Sequence, residues 1–191
     1  MRSYGSYEKY LSHQKSKREK ISWLPGYDQK YSQVLAERLR TQAVVKEGMS
    51  VLCLGARIGS EVKAFLALGC FAVGIDLNPS VENKYVLYGD FHDVQFSCHS
   101  VDVVFTNCLD HVYALNVFLR EVKRVLKLEG CFILEIERGA EEGGVVGEYE
   151  CLFYDKIDDM IEILDHAGLR AVKRVDFEYP WKGQHIVFKV R

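Results

Sequence analysis

The chain has 191 residues, of which 48% are hydrophobic and 12% aromatic, and its formal net charge is −2. This length and apolar content suffice for a hydrophobic core without metals or disulfides, so we predict a single domain over residues 1–191. The small net charge gives no global attraction to nucleic acid or to an anionic membrane, and any such contact would have to be local.

The N-terminus and the cysteines both indicate a cytoplasmic protein. Residues 1–20 contain no apolar core of a signal peptide, and no window of the sequence approaches the length of a membrane span. The cysteines form no C-x-x-C pair, and several lie in apolar runs, so we interpret them as buried reduced thiols rather than zinc ligands or nucleophiles. They are Cys53, Cys70, Cys98, Cys108, Cys131 and Cys151.

Residues 1–47 precede the regular part of the chain and are predicted to form a helical cap. The sequence WLPGY at 23–27 predicts a turn, and Asp28 is expected to cap a helix over 28–42. The apolar stripe of this helix is too small for a core of its own, so the helix must pack on the remainder of the chain, where we expect it to cover a substrate crevice. The aromatic walls expected of this cap are Tyr10, Trp23 and Tyr27.

Between residues 48 and 137, strand patterns alternate with helix patterns. The predicted strands are 50–54, 70–76, 84–88, 101–106 and 131–137, and the predicted helices are 59–68 and 113–126. Strands that alternate with helices favour a parallel sheet covered on both faces.

The C-terminal part is predicted to complete this sheet. Residues 138–150 are rich in glycine and acidic side chains and predict a loop, either a substrate lid or a segment without that role. A helix follows Asp155, and strands over 170–178 and 185–190 are joined by a short connection that favours an antiparallel hairpin. The fold class is therefore α/β, with a mostly parallel seven-stranded sheet over 48–191.

A glycine turn follows the first predicted strand, in the sequence VLCLGARIGSEVKAF at 51–65. This is the place where α/β folds usually hold a nucleotide. A dinucleotide fingerprint needs three glycines, but after Gly55 its second and third positions are occupied by Arg57 and Ser60, and only Gly59 follows. A cofactor without a pyrophosphate escapes the need for the second glycine, and a nicotinamide cofactor remains the alternative.

Polar residues also follow the next three strands. Asp76 ends the second strand, where a carboxylate can accept both hydroxyls of a ribose. Since the carboxyl ends of parallel strands share one edge of the sheet, these side chains should converge on one crevice. The other residues at this edge are Asp90, Phe91, Asn107, Asp110 and His111.

The motifs VLCLGARIGSE, VGIDLNP, YGDF, SVDVVFTNCLDHV and FLREVKRVLKLEGCFILEI occur in an order that resembles class I S-adenosylmethionine-dependent methyltransferases, in their small-molecule, type 11-like branch. The resemblance implies a Rossmann-like sheet and S-adenosyl-L-methionine as the cofactor. The cofactor-binding residues that it implies are Gly55, Ala56, Arg57, Gly59, Asp76, Leu77, Asp90, Phe91 and Asn107.

Methyl transfer from a sulfonium needs alignment and exclusion of water, and it needs a base only where the acceptor must lose a proton. The candidate catalytic residues are His111 and Asp110, with His111 preferred because its unperturbed pKa lies near neutrality. The stretch from Asn107 to Asp110 is not the Asn/Asp-Pro-Pro-aromatic motif associated with methylation of nucleobase or glutamine amines, which favours a small-molecule acceptor. The spacing of His92, Asp93 and His99 suits no standard metal site, and no metal is expected.

Three alternatives to a small-molecule methyltransferase remain. The first is a nicotinamide-dependent oxidoreductase, and the second is a catalytically silent module that binds S-adenosyl-L-methionine. The third is an RNA methyltransferase, which would use a basic cluster near the N-terminus to bind phosphates, although such clusters are more often solvated helix faces. That cluster consists of Lys15, Lys17, Arg18 and Lys20.

Overall fold

The structure is a computed structural model that describes residues 2–17, 24–79 and 83–191. Its strands are β1 Ser50–Leu54, β2 Phe71–Asp76, β3 Val86–Tyr88, β4 Val101–Thr106, β5 Leu126–Glu137, β6 Leu169–Phe177 and β7 Gly183–Val190. Its helices are α1 Tyr7–Ser16, α2 Leu24–Gln42, α3 Ser60–Leu66, α4 Leu115–Val125 and α5 Ile157–His166, with short 3-10 helices at Leu109–His111 and Ala140–Glu142. None of the helices described combines the length and the apolar character that crossing a bilayer would require.

The strands form one seven-stranded sheet in the order β3-β2-β1-β4-β5-β7-β6. Strands β1 to β5 pair in parallel, whereas β7 is antiparallel to both β5 and β6. The predicted parallel sheet with its terminal antiparallel hairpin is confirmed. Because the chain places β2 and β3 on one side of β1 and returns to place β4 on the other, the strand order reverses between β1 and β4, where such sheets open a crevice.

Each face of the sheet carries its own apolar cluster, as the alternation of side chains along a buried strand requires. In β1, Leu52 belongs to the cluster that contains Phe118 of α4. The next residue, Cys53, belongs to the opposite cluster, with Leu35 of α2 and Phe65 of α3. Helix α2 therefore packs on this face of the sheet and contributes to its hydrophobic core.

The start of α2 differs from the prediction. The helix begins at Leu24, so the sequence predicted to form a turn is helical from that residue, while Trp23 lies outside the described residues. Proline is tolerated in the first turn of a helix, where its missing N–H would have no partner. Asp28 lies inside the helix and does not cap it. Its carboxylate accepts hydrogen bonds from Ser60 Oγ at 2.8 Å and from the Lys63 ammonium, joining α2 to α3.

Two further predictions need correction. Strand β5 begins at Leu126, five residues before the predicted boundary at 131, because Leu126 pairs with Val101 beyond an irregularity in the β4 ladder. The cysteines are free thiols, as predicted, but their burial is not uniform. Cys98 is exposed and Cys108 is half-buried, whereas the other four are buried.

Candidate active site

Two adjoining cavities open at the carboxyl ends of β1 and β4. The larger has a volume of about 370 Å³, in the range of small-molecule sites, and the smaller has a volume of about 40 Å³. Four residues line both cavities: Gly55, Arg57, Cys108 and His111. The crevice therefore lies where the sequence predicted it.

The glycine turn connects β1 to α3 and forms one wall of the larger cavity. Gly55 and Gly59 adopt positive φ angles of 72° and 76°, and a Cβ atom at Gly55 would overlap with the Cys108 sulfur. Ala56 and Arg57 line the larger cavity, whereas Gly59 caps α3 and lines neither cavity. The turn is held by hydrogen bonds from the amides of Gly55 and Ala56 to the carbonyl of Ile75.

Asp76 lies at the end of β2 and lines the smaller cavity together with Leu77 and Phe91. Its carboxylate accepts hydrogen bonds from the amide of Arg57 at 3.1 Å and from the amide of Asn78 at 2.7 Å. These two amides fix the orientation of the carboxylate and leave acceptor capacity on both oxygens. The arrangement suits a ligand with two vicinal hydroxyl groups.

Asp90 lines neither cavity. Its carboxylate accepts hydrogen bonds from the Tyr7 hydroxyl of α1 and from the His92 amide at 2.8 Å. Burial would raise the pKa of Asp90, but the hydrogen bonds from His92 and Tyr7 outweigh it and hold the pKa below its usual value. The contact anchors α1 beside the crevice, and a role of Asp90 toward an adenine stays a prediction.

His111 lines both cavities and is held in one tautomer. Its Nδ1 lies 2.9 Å from the carbonyl oxygen of Tyr149, so Nδ1 carries the proton and donates it to that oxygen. The other nitrogen, Nε2, then accepts a hydrogen bond from the Lys17 ammonium at 3.0 Å. His111 therefore presents an unprotonated nitrogen toward the cavity.

Asp110 and His111, both predicted catalytic residues, lie together with Glu150. One ligand atom of each lies within 4.8 Å of the others, a spacing that can hold a metal ion. Lys17 already supplies a positive charge to this group, because its ammonium contacts His111 and interacts favourably with Asp110 and Glu150. The cluster thus has a cation from the chain itself.

Two buried glutamates that sequence reasoning missed also line the larger cavity. Glu61, the second residue of α3, is 6% exposed, and Asn107 Nδ2 donates to its Oε1 at 2.9 Å. Burial raises the pKa of Glu61 to about 7, with smaller contributions from the charges of Glu135 and Asp76. Its position directly after the glycine turn is the signal that could have identified it.

Glu135 of β5 is 1% exposed and fully engaged. The Tyr31 hydroxyl donates to it at 2.6 Å, His185 Nδ1 lies at 2.9 Å, and the Arg38 guanidinium forms an ion pair with it. Burial acts to raise the pKa of Glu135, but these partners outweigh it and lower the pKa. A glutamate within the apolar strand CFILEIE was the sequence signal for this network.

Asn107 joins the two glutamates. Its side-chain amide donates to Glu61 and also to the Tyr31 hydroxyl at 3.1 Å, and that hydroxyl donates to Glu135. Among the described residues, some buried polar atoms around the cavity make no hydrogen bond. They are Arg57 Nε, Glu61 Oε2, Glu150 Oε2 and Trp181 Nε1.

The cap contributes directly to the crevice. Tyr10 and Gln14 of α1 line the smaller cavity, and Tyr27 of α2 lines the larger. Two of the three predicted aromatic walls therefore lie at the crevice, and the third, Trp23, lies outside the described residues.

The family model described as a methyltransferase domain matches residues 52–134, which run from β1 into β5 and include the loops that form most of the crevice. No curated protein matches the chain.

Solved structures share the fold. The 1,6-didemethyltoxoflavin-N1-methyltransferase of Burkholderia thailandensis, with 1,6-didemethyltoxoflavin and S-adenosylhomocysteine bound, is 16% identical, with a TM-score of 0.77 over 100% of this chain and 92% of that chain. A SAM-dependent methyltransferase from Aquifex aeolicus is 19% identical, with a TM-score of 0.66 over 82% of this chain and 89% of that chain. A complex between the Trm112 methyltransferase activator of Haloferax volcanii and a methyltransferase gives 18% identity and a TM-score of 0.66, over 95% and 97% of the two chains.

The matched segment contains the glycine turn, Asp76 and the residues after β4, and the sheet around it shares the fold of the matched structures. Residues 52–134 therefore match a methyltransferase domain, and the whole sheet has the fold of the solved methyltransferases, one of which is named as S-adenosylmethionine-dependent and another of which holds S-adenosylhomocysteine.

Proposed function

We propose that this chain transfers a methyl group from S-adenosyl-L-methionine to a small-molecule acceptor. The proposal rests on the cavity of about 370 Å³, because the glycine turn, aromatic side chains and titratable side chains all line it. Tyr27 and Trp181 provide aromatic surface, and Asp110 and His111 lie across the same space. A site of this volume suits a small metabolite.

The residues of the crevice fit the chemistry of the cofactor. We propose that Asp76 accepts the ribose hydroxyls, with Leu77 and Phe91 as the apolar surface beside them. Arg57 Nε, buried and without a hydrogen bond among the described residues, can donate to the cofactor carboxylate. When bound, the cofactor supplies a methyl group already activated by the positive charge of its sulfur.

The chain's own groups would then align the acceptor and remove a proton where needed. His111 Nε2 is the proposed proton acceptor, because the Tyr149 carbonyl keeps the proton on Nδ1. Lys17 must release Nε2 before the acceptor can approach it, since the two atoms lie 3.0 Å apart. Asp110 lies close enough to stabilise the protonated imidazole, with its Oδ2 3.7 Å from Nε2.

We further propose that residues 1–47 and 48–191 form one domain, with the N-terminal segment as a cap that excludes water from the crevice. The support is that three residues of this segment line the two cavities at the edge of the sheet: Tyr10, Gln14 and Lys17. A closed crevice of this kind strengthens electrostatic contacts to a bound cofactor.

The contacts of the basic cluster favour a small acceptor over RNA. Lys17 points into the cavity, where it binds His111, and the Lys15 ammonium lies over the ring of Tyr88. The other two basic residues, Arg18 and Lys20, lie outside the described residues. An RNA methyltransferase would show binding to RNA that weakens steeply as salt rises.

Calorimetric titration of the purified full chain tests the cofactor. S-adenosyl-L-methionine and S-adenosylhomocysteine should bind, and NAD should not, because Arg57 and Ser60 occupy positions where a pyrophosphate site needs glycine. Tighter binding of NAD would overturn the proposal. Asp76→Ala should weaken binding of S-adenosyl-L-methionine by about 30-fold, about 2 kcal/mol, while circular dichroism shows an unchanged fold.

A screen of small metabolites with a radiolabelled methyl donor tests the reaction. Transfer of label to at least one low-molecular-weight acceptor is the expected result. Cofactor binding without transfer to any small molecule, but with transfer to RNA, would replace the proposed acceptor class. Cofactor binding with no transfer to either would indicate a silent binding module.

A further inference from the structure

Within the described part of the chain, one buried carboxylate of the crevice has no positively charged partner. Glu61 lines the larger cavity, and its only side-chain hydrogen bond among the described residues is the one that Asn107 donates to Oε1. The second oxygen, Oε2, is buried and makes no hydrogen bond within the described part of the chain. An ionised carboxylate in this state is costly, and its raised pKa of about 7 reflects that cost.

The other acidic groups of the cavity differ from Glu61. Glu135 already binds Arg38, His185 and Tyr31. Glu150 is only half-buried and interacts favourably with the Lys17 ammonium. Glu137 is exposed to solvent. Glu61 is therefore the buried acid of this cavity, in the described chain, that still needs a cation.

The placement of Glu61 relative to Asp76 indicates which cation this is. Asp76 lines the smaller cavity and Glu61 the larger, and the two cavities meet at Gly55 and Arg57. A cofactor with its ribose at Asp76 would therefore extend its amino-acid end past this junction toward Glu61. Of the cofactor's two positive charges, the sulfonium has no hydrogen to donate, whereas the ammonium has three.

We propose that Glu61 binds the α-ammonium group of the methionine part of S-adenosyl-L-methionine through Oε2. This inference rests on the proposed function, because it presumes that the crevice holds this cofactor. Asn107 acts as a positioning residue, since its amide holds Oε1 at 2.9 Å and leaves Oε2 free for the ligand. Arg57 and Glu61 would then recognise the carboxylate and the ammonium of one amino-acid group.

The test compares two ligands by calorimetry on the wild-type full chain and on Glu61→Gln. S-adenosylhomocysteine carries the amino-acid group, and 5′-methylthioadenosine lacks it, while both have an uncharged sulfur. Glu61→Gln should weaken binding of S-adenosylhomocysteine by about 10-fold or more and change binding of methylthioadenosine less than about twofold. Removing the negative charge of Glu61 cannot weaken a contact to the ligand's own carboxylate. A selective loss of affinity for S-adenosylhomocysteine therefore measures the contact between Glu61 and the ligand's ammonium group.

Glu137→Gln is the matched control, because it removes one negative charge from the lining of the same cavity. It should leave the affinity for S-adenosylhomocysteine within about twofold of wild type. Equal affinity of wild type and Glu61→Gln for S-adenosylhomocysteine would overturn the inference, as would an equal loss of affinity for both ligands. If Glu61→Gln does not fold, Glu61→Asp should show the same selective loss.

Failure of the proposed function has a different signature. In that case the wild-type chain binds neither S-adenosylhomocysteine nor methylthioadenosine. Failure of the Glu61 assignment alone leaves wild-type binding of both ligands intact.

Discussion

The two buried glutamates joined by Asn107 differ in the partners that the fold brings to them. Glu135 in β5 is paired with Arg38 and hydrogen-bonded by His185 and Tyr31, and its pKa is lowered. Among the described residues, Asn107 supplies the single side-chain hydrogen bond to Glu61 in α3, and burial raises the pKa of Glu61 to about 7.

The comparison shows how a buried charge can serve either the fold or a ligand. A carboxylate whose partners come from the chain is part of the folded structure, and removing it exposes those partners. A carboxylate without such partners destabilises the ligand-free protein and is compensated only when a cation binds. The same substitution at the two sites should therefore change stability in opposite directions.

The largest effect is expected for Glu135→Gln. The substitution leaves the Arg38 guanidinium, whose side chain is 11% exposed, without its counterion. We expect the free energy of unfolding to fall by about 3–5 kcal/mol at neutral pH, as for other broken buried ion pairs. Denaturant unfolding followed by tryptophan fluorescence measures it. A fall in the free energy of unfolding of less than about 1 kcal/mol would contradict this prediction, because it would mean that water solvates the Arg38 guanidinium in the variant.

Glu61→Gln should stabilise the ligand-free protein above neutral pH. Because the pKa of Glu61 is raised from 4.5 to about 7 on folding, the folded state holds a proton that the unfolded state has lost between these values. Stability of the wild type therefore falls as pH rises from about 4.5 to 7 and stays reduced above pH 7. The variant should gain up to about 3 kcal/mol at pH 8 and almost nothing near pH 4.5.

Unfolding curves of Glu61→Gln and wild type at several pH values measure this difference. Glu137→Gln serves as the control for the general effect of one negative charge, since Glu137 is exposed. If the stability difference between Glu61→Gln and wild type did not vary with pH, the prediction would be wrong, because Glu61 would then not retain a proton in the folded state over this pH range.

The smallest effect is expected for Asp28→Ala. The Asp28 carboxylate lies at the solvent-exposed edge of the contact between α2 and α3. Its partners are Ser60 and Lys63, and the side chains of Asp28 and Lys63 are 21% and 42% exposed. We expect a loss of about 1 kcal/mol, because partly solvated pairs contribute little. The unfolding transition should remain single if the cap and the sheet form one domain. Two separate transitions would contradict the single-domain proposal.

The sheet and the edge at which the crevice opens could be predicted from the sequence pattern. Alternating strand and helix patterns gave the parallel strands, because buried strands are apolar on both faces and short connections restrict their order. The glycines of the turn, Asp76 and His111 could be recognised as candidates because each directly follows or ends a strand, and strand ends meet at one edge.

The partners of the charged side chains could not be predicted, because they come from distant parts of the chain. Aspartate is a residue type favoured at helix N-termini, but α2 begins at Leu24, before Asp28. The partners of Asp28 are Ser60 and Lys63, which are more than thirty residues away in the sequence. Likewise, Glu61 and Glu135 look alike as single residues. Burial raises the pKa of both, but at Glu135 the long-range partners His185, Arg38 and Tyr31 outweigh it. Burial and charge pairing are set by long-range packing, and local propensity carries no information about them.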